Sequence, residues 1–216
     1  MFSAGIAATP IYLPMEAEPI PAHNDENARD IALMSRIGQG DHAAFRELVL
    51  RHQNAVIGTV AKMLGNPSEA EDLAQQVFLR IWRHAKRYRP DAKFTTYLFT
   101  ITRNLVFNET RRRKRRNEIS SDAREEHSHA HLPDDISRQP DSELLQAELQ
   151  AAVDAAIAAL PEQQRMAVIL RRYEQMPYEE IGAVLDLTLP AVKSLLFRAR
   201  TTLRDSLSKY LDPQGA

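Results

Sequence analysis

The chemistry-bearing residues of this chain begin with KFTTYLFTITRNLVFNETRRRKRR, Lys93–Arg116. Phe94, Tyr97, Phe99 and Phe107 are interleaved with Thr95, Thr96, Thr100, Thr102, Arg103 and Asn104, and six consecutive basic residues, Arg111 to Arg116, follow. Aromatic rings stack on unpaired bases, while hydroxyls, amides and guanidinium groups hydrogen-bond phosphates and base edges. From Arg80 to Arg116 there are 13 Lys/Arg against 2 Asp/Glu. That local density matters because phosphate neutralisation depends on local positive charge, and the net charge of the whole chain is only −1. Helical spacing sets Leu98, Ile101, Leu105 and Phe99 aside as core. The plainer alternative is a core helix with a solvated basic tail.

A second constellation is MPYEEIGAVLDLTLPAVKSLLFRARTTLRDSL. Pro177 suits the first turn of a helix, with Glu179 and Glu180 at the positive end of its dipole. Ile181, Val184 and Leu185 form its apolar stripe. Asp186-Leu187 makes a turn, Thr188 is placed as the N-cap of the next helix, and Pro190 is tolerated in that helix's first turn. There Val192, Leu195, Leu196, Ala199 and Leu203 share one face. Lys193, Ser194, Phe197, Arg198, Arg200, Thr201 and Arg204 fall on the others, and Pro190–Arg204 holds no acid. The pattern is a helix-turn-helix whose second helix enters a major groove, set against an ordinary helical hairpin with a basic face. In the helix before it, Met166, Ile169, Leu170 and Tyr173 read as core, and Arg165, Arg171 and Arg172 as phosphate contacts or solvated charge.

The third constellation is SEAEDLAQQVFLRIWRHAKRYRP. Ser68 reads as a cap, with Glu69, Glu71 and Asp72 in the first turn. Leu73, Val77 and Ile81 form a buried stripe. Glu71, Asp72, Gln75, Gln76 and Arg80 make an exposed polar ridge, suited to a protein partner or simply solvated. Enzymatic motifs are missing: the sequence has no Gly-rich phosphate loop, no H-E-x-x-H and no nucleophile elbow. It has no cysteine, which excludes disulfides and thiolate metal sites. His127, His129 and His131 alternate in a polar acidic stretch without a fixed frame, so no metal or other cofactor is expected, and no catalysis of small-molecule substrates.

The elements that must position these groups are all helical. Hydrophobic residues are 44 % and charged residues 26 %, as in ordinary globular proteins. Strand-like alternation is scarce, and periodicity predicts helices over about 28–38, 41–64, 67–87 and 93–115. Residues 1–27, rich in Pro and Ala, read as a disordered N-terminal extension. Residues 117–140 carry two prolines and few large apolar side chains, and read as a flexible acidic linker. Helical periodicity returns over 141–210, with stops at Leu160–Pro161, Met176–Pro177 and Leu187–Pro190. The expectation is an all-α chain of two small domains, 28–116 and 141–210, on a tether. No apolar run is long enough to cross a membrane, and no signal peptide is evident, so a cytoplasmic protein without direct membrane insertion is expected.

Five segments together resemble the extracytoplasmic-function sigma factors of the sigma-70 family: AEDLAQQVFLRIW at Ala70–Trp82, FTTYLFTITRN at Phe94–Asn104, LPEQQR at Leu160–Arg165, YEEIG at Tyr178–Gly182 and AVKSLLFRAR at Ala191–Arg200. The resemblance covers about residues 30–115 and 141–208. It implies that the first domain is a region 2-like bundle. Asp72, Gln75, Gln76 and Arg80 would then dock on the β′ clamp of core RNA polymerase. Arg87, Lys93, Thr95, Thr96, Tyr97, Arg103, Asn104, Arg111 and Arg112 would hold the −10 strand of promoter DNA, with one base flipped into a pocket. It implies that the second domain is a region 4-like helix-turn-helix meeting the β flap and reading the −35 element through Thr188, Pro190, Lys193, Ser194, Phe197, Arg198 and Arg200. An anti-sigma factor is the implied regulator. This chain departs from the family pattern in carrying Tyr97 where many members have tryptophan, Leu189-Pro190 where a Gly-Thr pair is frequent nearby, and Leu196-Phe197 where Leu-His is usual.

Two other readings of the same residues stay open at this level. A duplex-binding repressor or activator needs the helix-turn-helix but not the aromatic strand-binding helix. An RNA-binding protein needs the Arg111–Arg116 run but not a duplex-reading helix.

Overall fold

The computed structural model describes residues 23–121 and 141–211, and within them every regular element is helical. The first group holds α1 (His23–Gly38), α2 (His42–Leu64), α3 (Pro67–His84), a 3₁₀ turn over Ala85–Arg87, and α4 (Phe94–Ser121). The second holds α5 (Asp141–Ala159), α6 (Glu162–Arg172), α7 (Tyr178–Leu185), α8 (Leu189–Ser206) and α9 (Ser208–Leu211). The His127, His129 and His131 alternation lies outside the described residues, as does most of the expected linker.

Local chemistry explains the boundaries. Asp41 caps α2 by accepting from the N–H groups of Ala43 (2.9 Å) and Ala44 (3.0 Å). Those bonds, and the Arg36 guanidinium beside it, hold its carboxyl below the usual range. The cap of α3 is Asn66 rather than Ser68: its side chain accepts from the Ser68 N–H, and Pro67 takes the first helical position. Helix α1 begins at His23, inside the stretch that reads as tail, with Asp25 and Glu26 in its first turn. The Asn27 side chain there accepts from the Phe94 N–H at 2.8 Å, so the start of α1 serves as a remote cap for α4. Helix α4 in turn runs past Arg116 to Ser121. Buried Glu109 gathers Arg112, Arg113 and Arg116, and Arg113 also pairs with Glu69, which reduces repulsion along the basic run.

The expected two domains on a tether are here docked on each other. Buried Leu48, Val56, Ile81, Phe94 and Leu98 of the first group belong to one apolar cluster with Leu160, Met166, Ile169, Leu170 and Ile181 of the second. The seam has a polar logic as well. The last carbonyls of α2 lack partners within the helix. Arg113 donates to Leu64 O (3.1 Å) from one side, and Arg165, from the second group, donates to Met63 O (2.8 Å) from the other. Arg165 also reaches Leu160 O, and Arg171 donates to Met176 O and lies over the Tyr178 ring, so neither is a free phosphate ligand here. Tyr173, expected in the core, instead lies at the seam, partly exposed beneath the Lys62 ammonium.

Candidate nucleic-acid interface

Helix α4 divides into three faces, and the division follows the 100° step between residues. Phe94, Leu98, Thr102, Leu105, Val106 and Glu109 are buried toward the bundle of α1, α2 and α3. Tyr97, Ile101, Asn104 and Asn108 form a second line, half-buried at Tyr97 and Ile101 and exposed at the two asparagines. The third line is Thr96, Thr100, Arg103 and Phe107. It is covered by α7: Arg103 Nε donates to Val184 O at 3.0 Å, and Arg103 lies over the Phe107 ring. Just ahead of α4, Lys93 Nζ sits 2.6 Å from Glu180 Oε1 on the same α7.

The open line contributes Tyr97, Ile101 and Asn104 to a cavity of about 500 Å³ completed by Arg80, His84, Arg87, Tyr88, Arg89 and Asp91. Its lining combines two tyrosines with three arginines and one acid, Asp91. The Tyr88 and Tyr97 rings lie 5.1 Å apart, backed by Phe94. Burial raises both phenol pKa values, and the Tyr88 hydroxyl is itself buried without a hydrogen-bond partner. A flat ring with hydrogen-bonding edges and a phosphate behind it matches this lining.

The structure sorts the residues expected to hold a single strand. Tyr97, Asn104 and Arg87 border the open cavity; Thr95 is half-buried and Arg111 exposed. Arg112 is exposed but paired with Glu109, which raises its already high pKa. Lys93 and Arg103 are engaged by α7. Thr96 is corrected: it is only 5 % exposed, so its hydroxyl does not face solvent here. The sequence assigned that residue to a free surface because the helix that covers it lies some 80 positions further along. Ile101, expected in the core, instead lines the cavity. Tyr88 and Arg89 also border it, on the loop of about His84 to Lys93 that the family resemblance implies for the −10 strand, though neither is singled out there.

On α3, Asp72, Gln75, Gln76 and Arg80 all face outward as expected. Beside them Phe45, Val49, Ile57, Ala74, Phe78 and Leu79 line a shallow groove of about 520 Å³, with Leu79 48 % exposed.

On α8, Val192, Leu195, Leu196 and Ala199 are buried, while Thr188, Pro190, Lys193, Ser194, Phe197 and Arg198 are exposed. Phe197 is 66 % exposed, which an aromatic side chain on a lone hairpin has little reason to be. Arg200 is half-buried, with its Nε buried. Thr188 occupies the N-cap position, though its side chain makes no capping bond. The turn before it is set by Asp186 in the left-handed region (φ 59°), whose N–H bonds back to Gly182 O. Gly182 is required here: a Cβ would sit 2.7 Å from Leu187 O.

Comparison with known proteins identifies the two helical groups. A family model of Sigma-70 region 2 matches residues 48–116, and one of Sigma-70 region 4 matches residues 150–203. The RNA polymerase sigma-H factor of Pseudomonas aeruginosa is 32 % identical over 85 % of this chain and 96 % of its own length. The ECF RNA polymerase sigma-E factor of Escherichia coli is 32 % identical over 86 % of this chain and 98 % of its own. The chain belongs to the extracytoplasmic-function sigma factors. As a sigma factor it is a transcription initiation factor that recognises promoters, and its two helical groups are region 2 and region 4. Its fold is shared with CnrH, solved with the cytosolic domain of CnrY (TM-score 0.60, 23 % identity, 87 % of this chain and 99 % of that one). It is shared also with RpoE of Bartonella quintana, solved with the anti-sigma factor NepR (TM-score 0.59, 24 % identity, 76 % and 96 %). Among the described residues no helix of this sigma factor is long and apolar enough to cross a membrane.

Proposed function

We propose a division of labour among the surfaces of this sigma factor. The α3 ridge of Asp72, Gln75, Gln76 and Arg80, with the adjoining Phe78–Leu79 groove, docks on the β′ clamp of core RNA polymerase. The Tyr88–Tyr97 cavity takes one unpaired base of the −10 element, with Arg87, Asn104 and the exposed Arg111 beside the strand backbone. The exposed side of α8, from Thr188 to Arg198, reads the −35 element in the major groove while its flanks meet the β flap. The protein acts by binding and does not itself catalyse a reaction, and it works in the cytoplasm. Residues 28–116 and 141–210 are the two functional units.

The observation that carries this reading is the cavity at the start of α4. It joins two tyrosine rings 5.1 Å apart to three arginines and an asparagine, a composition that serves single strands and that a duplex-only regulator does not need. An anti-sigma factor is the proposed regulator, supported by the Bartonella quintana RpoE–NepR complex, whose sigma factor shares this fold.

In-vitro transcription with core RNA polymerase on genomic fragments tests the reading. New discrete start sites are expected with the wild-type chain. Asp72→Ala combined with Gln76→Ala should lower polymerase affinity, and Tyr97→Ala should weaken opening while leaving polymerase affinity intact. Core enzyme that gains nothing, with duplex DNA still shifted, would replace this reading with that of a polymerase-independent regulator.

A further inference from the structure

Helix α1 carries none of the surfaces assigned above, yet two of its side chains are directed at the walls of the base cavity. One face of α1 runs Asn27, Asp30, Met34, Ile37, at i, i+3, i+7 and i+10. Met34 and Ile37 are buried and apolar, whereas Asp30, 2 % exposed, and half-buried Asn27 are polar. A polar group on a packed face is destabilising unless it is bonded. Here both sets of bonds lead to Phe94. Asn27 Oδ1 accepts from the Phe94 N–H at 2.8 Å. Asp30 Oδ2 lies 2.8 Å from His52 Nε2, and the His52 ring lies 5.1 Å from that of Phe94.

Phe94 is fully buried and backs both tyrosines of the cavity, its ring centre 6.3 Å from that of Tyr88 and 6.3 Å from that of Tyr97. It is also the first residue of α4, where N–H groups have no partner within the helix. The residue before it, Lys93, ends in an ammonium, which cannot accept from an N–H and instead faces Glu180. The start of α4 is therefore capped from elsewhere in the chain, by Asn27.

The opposite end of α1 approaches the 3₁₀ turn of Ala85–Arg87: a Cβ at Gly38 would lie 3.3 Å from Ala85 O. Asn27 and Gly38 are about 16 Å apart along α1, at about 1.5 Å per residue. Between Ala85 and Phe94 the chain carries Arg87, Tyr88, Arg89 and Asp91, all lining the cavity. One helix thus holds both ends of this loop, and with them the 5.1 Å spacing of the Tyr88 and Tyr97 rings.

We propose that α1 is a brace for the −10 base cavity, and that Asn27 is a positioning residue whose bond to Phe94 sets the approach of Tyr88 to Tyr97. Asn27 touches neither DNA nor polymerase; it acts through Phe94. This rests on the assignment of the cavity to one unpaired base.

The test uses the full chain assembled with core RNA polymerase and the single-stranded −10 element of a promoter that it opens, with each base replaced in turn by an abasic site. For the wild type, one abasic position should weaken strand binding most, marking the base held by the cavity. Asn27→Ala should weaken binding of the intact strand by about 5-fold, the factor carried by one capping bond, and leave binding of the strand abasic at that position unchanged. Asn27→Asp, which keeps an acceptor at the helix N-terminus, should bring the intact strand back to within about two-fold of wild type. Adding Asn27→Ala to Tyr97→Ala should cost no further affinity, since both act on one ring pair. Affinity for core polymerase and for a −35 duplex should stay at the wild-type value in both Asn27 variants. If Asn27→Ala melts early, Gly38→Ala, which pushes the Ala85 turn from the other end of α1, takes its place with the same comparison of intact and abasic strands. An Asn27→Ala chain that binds the intact strand as wild type does overturns the proposal. So does an equal loss on intact and abasic strands, which would mark a general loosening of region 2. A wild type indifferent to where the abasic site falls overturns the cavity assignment itself, and the brace with it.

Discussion

Two glycines give substitutions of opposite sign, and the contrast is a sharp check on the helix-turn-helix geometry. At Gly182 a new Cβ would lie 2.7 Å from Leu187 O, a backbone atom that cannot swing away, and 3.6 Å from the Val192 side chain. Ordinary contact begins near 3.4 Å, so Gly182→Ala must displace the Asp186–Thr188 turn by about 0.7 Å, and with it the start of α8. Overpacking of this kind costs about 1–3 kcal/mol. The Gly182 carbonyl also anchors the N–H groups of Asp186 and Leu187, so the shift loosens the bonds that set the turn. At Gly58, inside α2, nothing lies within 4 Å of the added carbon. Gly58→Ala should therefore stabilise the chain by about 0.5–1 kcal/mol through helix propensity and reduced unfolded-state entropy. Urea unfolding of both variants, followed by helical circular dichroism, reads the two signs directly. Gly182→Ala should also lose affinity for a −35 duplex beyond what its unfolded fraction explains, because α8 is re-aimed. A Gly182→Ala chain as stable as wild type, with the same duplex affinity, would refute the claim that Leu187 O fixes the approach of the recognition helix.

Other expectations concern buried charge and aromatic contacts. Asp30, 2 % exposed, accepts from Arg51 and His52 at 2.9 and 2.8 Å. Asp30→Ala leaves the Arg51 charge without its partner and should cost about 3–5 kcal/mol in urea unfolding. Glu174 has its carboxyl pKa raised, chiefly by burial, against the lowering effects of Thr59, Lys62 and His52. The folded chain thus holds that proton more tightly than the unfolded chain. Its stabilising contribution is fully present below the ordinary glutamate value of about 4.3 and is lost as pH rises through the higher folded value. Glu174→Gln should flatten that part of the stability–pH curve, and an unchanged curve would remove Glu174 as its source. Tyr97→Ala should weaken single-strand binding by about 1–3 kcal/mol in a fluorescence titration, with little effect on duplex −35 binding. Phe197→Ala should do the reverse, lowering duplex affinity while strand affinity holds.

The sequence exposed the helices and their buried stripes because those depend on neighbours three or four residues away. Leu73, Val77 and Ile81, or Val192, Leu195 and Leu196, are read correctly from spacing alone. The polar ridge of α3 was legible for the same reason. What spacing cannot carry is contact between distant segments. The Asn27 cap on Phe94, the Arg165 bond to Met63 O and the cover of α7 over Thr96 and Arg103 link residues 67 to more than 100 positions apart or lie on opposite sides of the acidic stretch. Thr96 and Arg103 therefore read as free surface, and Tyr173 as core. The start of α1 was misread for a related reason. His23–Asn27 is too polar to look helical, and part of its stabilisation comes from Asp25 and Glu26 at the helix dipole and from the tie to α4.

The single tryptophan gives this chain an uncommon optical asymmetry. Trp82 stacks on His42 (4.7 Å between ring centres) and leans on Phe45 (5.1 Å), at the junction of α2 and α3. Region 4 has no indole at all. Indole emission during heating therefore follows the melting of region 2 alone, whereas backbone circular dichroism averages every helix. With the apolar cluster continuous across both groups, the two signals should fall together as one cooperative transition. A chain whose seam has been parted should show them separate, with indole emission tracking one step and the remaining helical signal the other.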